Sequence, residues 1–393
     1  MHIAFVIHNR AGTGPYFKVL EQCAALTDFG HRVTLFCTSR THRLRELVEE
    51  RDGVTVYEAP DLLWGDLRQG PDLWNCLRRC MYSQSQRFDL VHAIDCRPNV
   101  IFTALHIKYW QKIPLVLSWW DLFGGGGLVQ ERSSKLYAAT LGHVETWFEE
   151  YFRRHADAAT TITSYLAERL ASMNYPKEQI MVQHVGVDTQ AAVPERDHAR
   201  AQMGLESDLP TFCFIGTIYK TDLEMLLRAL DIVKQRAAYR IIWIGNAAIP
   251  DEVCREYNIH RTGYISSEEV RLYLGASDIC LLPMKVNITN KARWHSKVSD
   301  YFNAAKPVVS TPVSDFPDIF ARRDVGWMSA SDGAQDFAQI LLQAIAERDQ
   351  WEQKGRNARA LVVDELDVHV LARQLLDFYG KLLPANKTEA LAS

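Results

Sequence analysis

Residues 211–230 read TFCFIGTIYKTDLEMLLRAL, and their order decides the fold class. TFCFIG is a short, continuously apolar run closed by a glycine. The stretch after it places Leu223, Leu226, Leu227 and Leu230 at helical spacing. A strand apolar on both faces that leads into an amphipathic helix is the repeating unit of a parallel sheet covered by helices. Downstream, RIIWIG (240–245), IHRTGYI (259–265), ICLLPM (279–284) and PVVST (307–311) repeat the strand pattern. Upstream, IAFVI (3–7), RVTLFC (32–37), VTVYEA (54–59), LVHAI (90–94), PLVLSWW (114–120) and AATTIT (158–163) do the same, with helices expected at 16–30 and 99–111. Residues 189–210 are polar, alanine-rich and bracketed by prolines, as suits a connection. The expected architecture is therefore α/β, with two Rossmann-like doubly wound parallel-sheet domains over 1–190 and 205–370. A last helix, about 371–385, carries Leu371, Leu375, Leu376, Phe378 and Leu382 and is expected to pack near the first domain.

The 393 residues suffice for two domains with cores of their own. Their 44 basic and 48 acidic groups divide almost evenly between the two halves. Neither half is a basic platform, which argues against nucleic acid as the principal partner. Eight cysteines lie mostly in apolar runs without CxxC or zinc-type spacing, so buried thiols in a reducing compartment are expected. The opening apolar stretch is too short for a signal peptide and has no cationic region before it. A cytoplasmic location follows as an expectation, and no apolar run is long enough to span a bilayer.

Ligands of open parallel sheets bind beyond the carboxyl ends of the strands, so the loops there are the places to look for chemistry. HNRAGTGPYF (8–17) offers Gly12 and Gly14 before a helix start, an arrangement suited to a phosphate or an acceptor sugar, or simply to a tight turn. In FIGTIYK, Gly216 ends a strand and Lys220 stands before a helix, where a diphosphate would meet both a full charge and the helix dipole. Thr221 and Glu224 have capping-box spacing. The segment 281–311 gathers Lys285, Lys291, Arg293, His295 and Lys297 into a cationic group, and places Asp300 three residues after Lys297 on one helical face. Asp300 would then take two ribose hydroxyls or form an ion pair with Lys297. In WWDLFGGGG (119–127), Asp121 is a candidate sugar contact and the four glycines suggest a mobile or closely approached loop.

These segments together resemble retaining glycosyltransferases of the GT-B fold, in the large family numbered four (glycosyl transferases group 1). The resemblance rests on TITSYLAERL with IMVQHVGVD, FIGTIYKTDLEMLLRAL, WIGNA, HRTGYISSEEVRLYLGASDICLLPM and SKVSDYFNAAKPVVSTPVSDFPDIF. It implies two domains facing across a cleft, a nucleotide-diphosphate sugar as donor, a hydroxyl acceptor (a saccharide or lipid-linked saccharide), and no metal or other cofactor. By the same resemblance Lys220 contacts the diphosphate, with Gly216 and Thr217 beside it, and Asp300 holds the ribose. Gly245, Asn246, Tyr264 and Ile265 line the nucleoside, and Lys297 approaches the phosphates; Arg293, in the same basic loop, is expected with Lys297 to replace the family's missing cation. Lys220, Lys297 and Asp121 are the expected catalytic residues.

The chain departs from the family pattern at four places. Trp120 stands at the usual histidine, Thr217 at an arginine, His184 at an asparagine, and Ala292 near the first of two glutamates. These departures leave two alternatives open: a nucleotide-sugar epimerase or hydrolase, and a non-catalytic sugar-nucleotide-binding protein. Residues 62–87, with Trp64, Trp74, Arg68, Arg78, Arg79 and Arg87, read either as a weak peripheral contact with the inner face of a membrane or as an ordinary amphipathic helix with its tryptophans inward.

Overall fold

The computed structural model describes residues 1–63, 70–131, 139–205, 208–246 and 249–383. The chain divides into two units: Met1–Gly186 with Ala292–Trp294 and Val368–Ser393, and Val187–Lys291 with His295–Asp367. The connecting segment from Val187 onward thus belongs to the second unit, and the final helix, which begins at Val368 rather than 371, belongs to the first.

The first unit is built on eight strands: β1 (His2–Arg10), β2 (Arg32–Thr38), β3 (Leu47–Arg51), β4 (Val54–Ala59), β5 (Leu90–Ile94), β6 (Leu115–Trp119), β7 (Ala158–Thr161) and β8 (Ile180–Val182). Their order is β3-β4-β2-β1-β5-β6-β7-β8, parallel except for β3 against β4. The sequence reading missed β3 and β8. LVEER is charged and exposed because it is the sheet edge, where Glu49, Glu50 and Arg51 discourage pairing with another chain. Helices Gly14–Asp28 and Val368–Gly380 pack on one face of the sheet, around Tyr16, Leu20, Leu26, Leu375 and Tyr379. Helix Pro98–Gln111 packs on the other face around Ile101, Ala104 and Ile107, with Phe148 and Phe152 against that cluster. Pro15 and Pro98 stand in the first turn of their helices, where a missing N–H costs nothing.

The second unit contains β9 (Thr211–Ile215), β10 (Arg240–Ile244), β11 (Ile259–Gly263), β12 (Ile279–Leu282), β13 (Val308–Ser310) and β14 (Gly326–Met328), all parallel in the order β11-β10-β9-β12-β13-β14. Strand order reverses between β9 and β12. That reversal opens the crevice in which this fold binds ligands. Strand β14, three residues long, was not foreseen. Gly326 is obligatory there, since a Cβ would lie 2.0 Å from the Val308 carbonyl oxygen.

One local expectation fails. Helix Lys220–Val233 starts two residues earlier than that box requires, with Tyr219 at its N-cap and no side-chain cap, so Thr221 and Glu224 form no capping box. Asp222, in the first turn, is buried and accepts the Lys285 backbone N–H at 2.8 Å. The capping box occurs instead at Ser266 and Glu269, whose side chains each accept the other's backbone N–H.

Candidate functional site

In the second unit, three adjacent strands end in glycines of positive φ: Gly216 (+90°), Gly245 (+111°) and Gly263 (+70°). The Gly216 N–H donates to the Ile244 carbonyl at 2.7 Å, and the Trp243 indole N–H donates to the Gly216 carbonyl at 3.0 Å. A Cβ on Gly245 would lie 3.3 Å from the Gly216 Cα, a tight contact, so the two strand ends run close together there. Tyr301, fully buried, accepts the Ile215 N–H through its hydroxyl at 2.9 Å and ties the end of β9 to helix Lys297–Asn303.

Lys297 begins that helix. Its Nζ lies 3.9 Å from the centre of the Phe214 ring and would stand 3.8 Å from a Cβ on Gly216. No hydrogen-bond or ion-pair partner for it occurs among the described residues. Burial pulls its amine from the usual lysine value down to about 7, against the opposing pull of the Asp222 carboxylate. An amine in this state takes up a proton when an anion arrives, because the anion repays the desolvation that burial imposed.

The other expected donor contacts surround it unevenly. Lys220 is in the first turn of its helix, with its side chain 90% exposed and its amine 4.0 Å from Glu224. Thr217, Asn246 and Tyr264 are exposed, and Ile265 and Asp300 are half-buried. Gly245, Asn246, His260, Arg261 and Gly263 line an open depression of about 750 Å³ that runs from the end of β10 along the length of β11 and beside helix Asp251–Glu256.

The residues of the expected cationic group are divided between the two units. Lys285 is held by Asp332, with its Nζ 3.7 Å from the carboxylate and donating to the backbone carbonyl at 3.1 Å. Lys291 is exposed. Arg293 belongs to the first unit, where its Nε lies 3.5 Å from Asp121. Lys297 retains the position against Gly216. The chain between 285 and 297 passes through a five-residue helix, Ile288–Ala292.

In the first unit the carboxyl edge of the sheet presents Gly12, Asp95 and the loop after β6. Gly12 has a φ of +76°, whereas Gly14 opens its helix with open space where a Cβ would stand and is not sterically required. Asp95, missed in the sequence, sits buried at a φ of +64°, and its Oδ1 accepts the N–H groups of Trp120 (2.8 Å) and Asp121 (3.0 Å). Its place directly after β5 was the available signal. Burial, reinforced by the Asp121 charge, raises the Asp95 carboxyl to about 7. The folded protein therefore holds this proton from about pH 4 to 7, where the unfolded chain has lost it, so the stability it lends disappears as pH rises through 7. We expect the Tm of the wild type to fall more between pH 4 and pH 8 than that of Asp95→Asn. Parallel curves by calorimetry would contradict this.

The glycine loop also has structural causes that the sequence reading did not credit. A Cβ on Gly124 would meet the Thr146 Cα at 2.8 Å, and one on Gly127 the Leu122 carbonyl oxygen at 2.0 Å. Beneath the loop, Glu149 accepts N–H groups from Gly124 (2.7 Å) and the Trp119 indole (2.9 Å), while Arg153 lies 3.5 Å away and 3.9 Å over the Trp119 ring. Trp119 is core, and Trp120 packs, partly buried, against the core face that holds Tyr16 and Leu375. Of the basic and aromatic residues in 62–87, Trp64 and Arg68 lie outside the described residues. Arg79 is fully buried and donates to the Ile7 carbonyl, and Arg78 pairs with Glu46. Arg87 is exposed and Trp74 half-buried. Among the described residues no cluster of three or more His, Cys, Asp or Glu side chains could hold a metal ion.

Comparison with known proteins places these features in a family. Residues 12–186 match the model of the glycosyl transferase 4-like domain, and residues 209–347 that of the glycosyl transferases group 1. The amylovoran biosynthesis glycosyltransferase AmsK of Erwinia amylovora is 26% identical over 54% of this chain, which spans about half (54%) of that relative's length. The putative colanic acid biosynthesis glycosyltransferase WcaL of Salmonella typhimurium is 27% identical over 91% of this chain and 94% of its own. In structure, sucrose-phosphate synthase from Thermosynechococcus elongatus superposes with a TM-score of 0.74 at 15% identity, covering 97% of this chain and 99% of that one. HepE of Anabaena, in complex with UDP and glucose, does so at 0.68 and 14%, covering 97% and 100%. Two parallel-sheet domains of the GT-B kind, matched by both domain models, make this chain a member of the group 1 glycosyltransferase family.

Proposed function

We propose that this protein transfers a sugar from a nucleotide-diphosphate sugar to a hydroxyl acceptor, with retention at the anomeric carbon, in the assembly of a polysaccharide or glycoconjugate. The observation that carries this reading is Lys297, whose buried amine is held against Gly216 at the strand-order reversal of the second unit. Breaking the bond between sugar and diphosphate leaves negative charge on the phosphate oxygens. A cation already fixed beside that position stabilises the charge without reorganisation. Lys220 adds an exposed second cation at a helix start, Asp300 takes the ribose hydroxyls, and the depression beside Gly245 and Gly263 receives the base. In a front-face displacement, the acceptor oxygen bonds to the anomeric carbon as the phosphate oxygen leaves, and that oxygen takes the acceptor's proton. Gly12, Gly14 and Asp121 are assigned to the acceptor side. The nucleotide in the HepE complexes and the polysaccharide pathways of AmsK and WcaL support the donor class and the setting.

The test is calorimetry with UDP, GDP and ADP at pH 8 in two buffers of different ionisation enthalpy. One nucleotide is expected to bind with uptake of a fraction of a proton, lost in Lys297→Met. Absence of binding by all three, or binding without proton uptake, contradicts the assignment of Lys297. Epimerised sugar from a donor incubated without acceptor would contradict the transfer reading itself.

A further inference from the structure

Helix Leu141–Arg153 is turned inside out. Its three acidic side chains point to partners within the protein: Glu145 to Arg97 at 2.5 Å, Glu149 to Arg153 at 3.5 Å and Glu150 to Arg169 at 3.0 Å. Its apolar side chains Leu141, Val144, Trp147 and Tyr151 follow one another at steps of three and four residues and are 41% to 57% exposed. The inward face is already filled, since Phe148 and Phe152 both lie edge-on to Phe102 of helix Pro98–Gln111. No rotation of the helix could bury the outer ridge without breaking these contacts.

The ridge continues onto a second element. Trp147 stacks on Tyr151 at 5.1 Å, and Tyr151 meets His155 edge-on at 5.6 Å. The His155 ring lies 3.3 Å from the Tyr109 hydroxyl. Tyr109 and its neighbour Trp110 are 59% and 62% exposed. Lys112, just beyond Trp110, and Arg154, just beyond the ridge, are exposed and have no ion pair among the described residues. The acids of this region are already neutralised, Asp157 by Lys108 at 2.8 Å. The surface is thus aromatic and apolar in its middle and cationic at its margin.

Tryptophan and tyrosine on a helix face, edged by unpaired cations, match the boundary between lipid headgroups and acyl chains. We propose that this face of the first unit docks on an anionic lipid bilayer, with Trp147, Tyr151, Tyr109 and Trp110 at headgroup depth and Lys112 and Arg154 against the lipid charge. No helix among the described residues is long and apolar enough to cross a membrane, so the contact is with the surface. The proposal stands apart from the sugar-transfer reading and does not need it.

Co-sedimentation of the full chain with phosphatidylcholine vesicles, with and without 30 mol% phosphatidylglycerol, tests it. The wild type is expected to pellet with the anionic vesicles at low salt, and its tryptophan emission to shift to the blue. Trp147→Gln with Tyr151→Ser, and separately Lys112→Glu with Arg154→Glu, should each weaken binding about tenfold or more, with unchanged melting curves. No pelleting with anionic vesicles, or undiminished binding by both double variants, overturns the proposal. So does a wild-type dimer in sedimentation that the aromatic double variant abolishes, because that would assign the face to a second copy of the chain.

Discussion

Lys297→Met is expected to lower sugar transfer by about 10²–10³-fold while raising the melting temperature. The loss follows from the position of the amine, since removing a pre-placed charge-stabilising group from an active site costs this order of rate. The gain follows from its environment. Burial holds the amine near 7, below its value in the unfolded chain, so at neutral pH the fold bears the cost of a desolvated cation. That cost lessens as pH rises from about 7 toward 10, and an apolar side chain of similar length removes it throughout. Lys220→Ala differs: its side chain is 90% exposed, so the fold should not notice its loss while donor binding weakens. Transfer kinetics and melting curves measured on both variants separate the two lysines. A Lys297→Met protein with full activity would remove the central residue from the proposed mechanism.

Glu149→Ala is expected to destabilise the first unit by about 3–5 kcal/mol, the usual consequence of leaving a buried partner charge uncompensated. Arg153 would keep its place over the Trp119 ring with its carboxylate gone, and the Gly124 N–H and Trp119 indole would lose their acceptor. Both residues are about 2% exposed, so water cannot readily take over. Glu149→Gln retains an acceptor but not the charge, and should fall between the two. Urea unfolding followed by tryptophan fluorescence measures the series. A change below about 1 kcal/mol in Glu149→Ala would mean that Arg153 escapes to solvent, contrary to its buried geometry.

Much of the architecture was legible in the residues. TFCFIG, RIIWIG and ICLLPM are strands because a continuous apolar run of that length, ended by glycine or proline, fits only a sheet buried on both faces. β3 escaped because LVEER carries no such signal. An edge strand is stabilised by its one neighbour and kept soluble by charge, so its sequence resembles a loop. The site was legible in part. Gly216, Gly245, Lys220, Lys297 and Asp300 were singled out because strand ends and helix starts are where ligands of this fold bind. The sequence does not show that Arg293 falls in the first unit, beside Asp121, while Lys285 and Lys297 belong to the second, because that division is made by contacts between distant residues.

Local pattern thus determines the βα units and the glycines at strand ends, because periodicity and backbone freedom act over a few residues. The tertiary structure decides what each polar group faces. It holds Asp95 under the Trp120–Asp121 backbone, buries Glu149 with Arg153, gives Lys285 to Asp332, and leaves Lys297 against Gly216. Most of these pairings join residues distant in the chain, and the charge state and reactivity of each group follow from burial and neighbours that exist only once the sheets have formed.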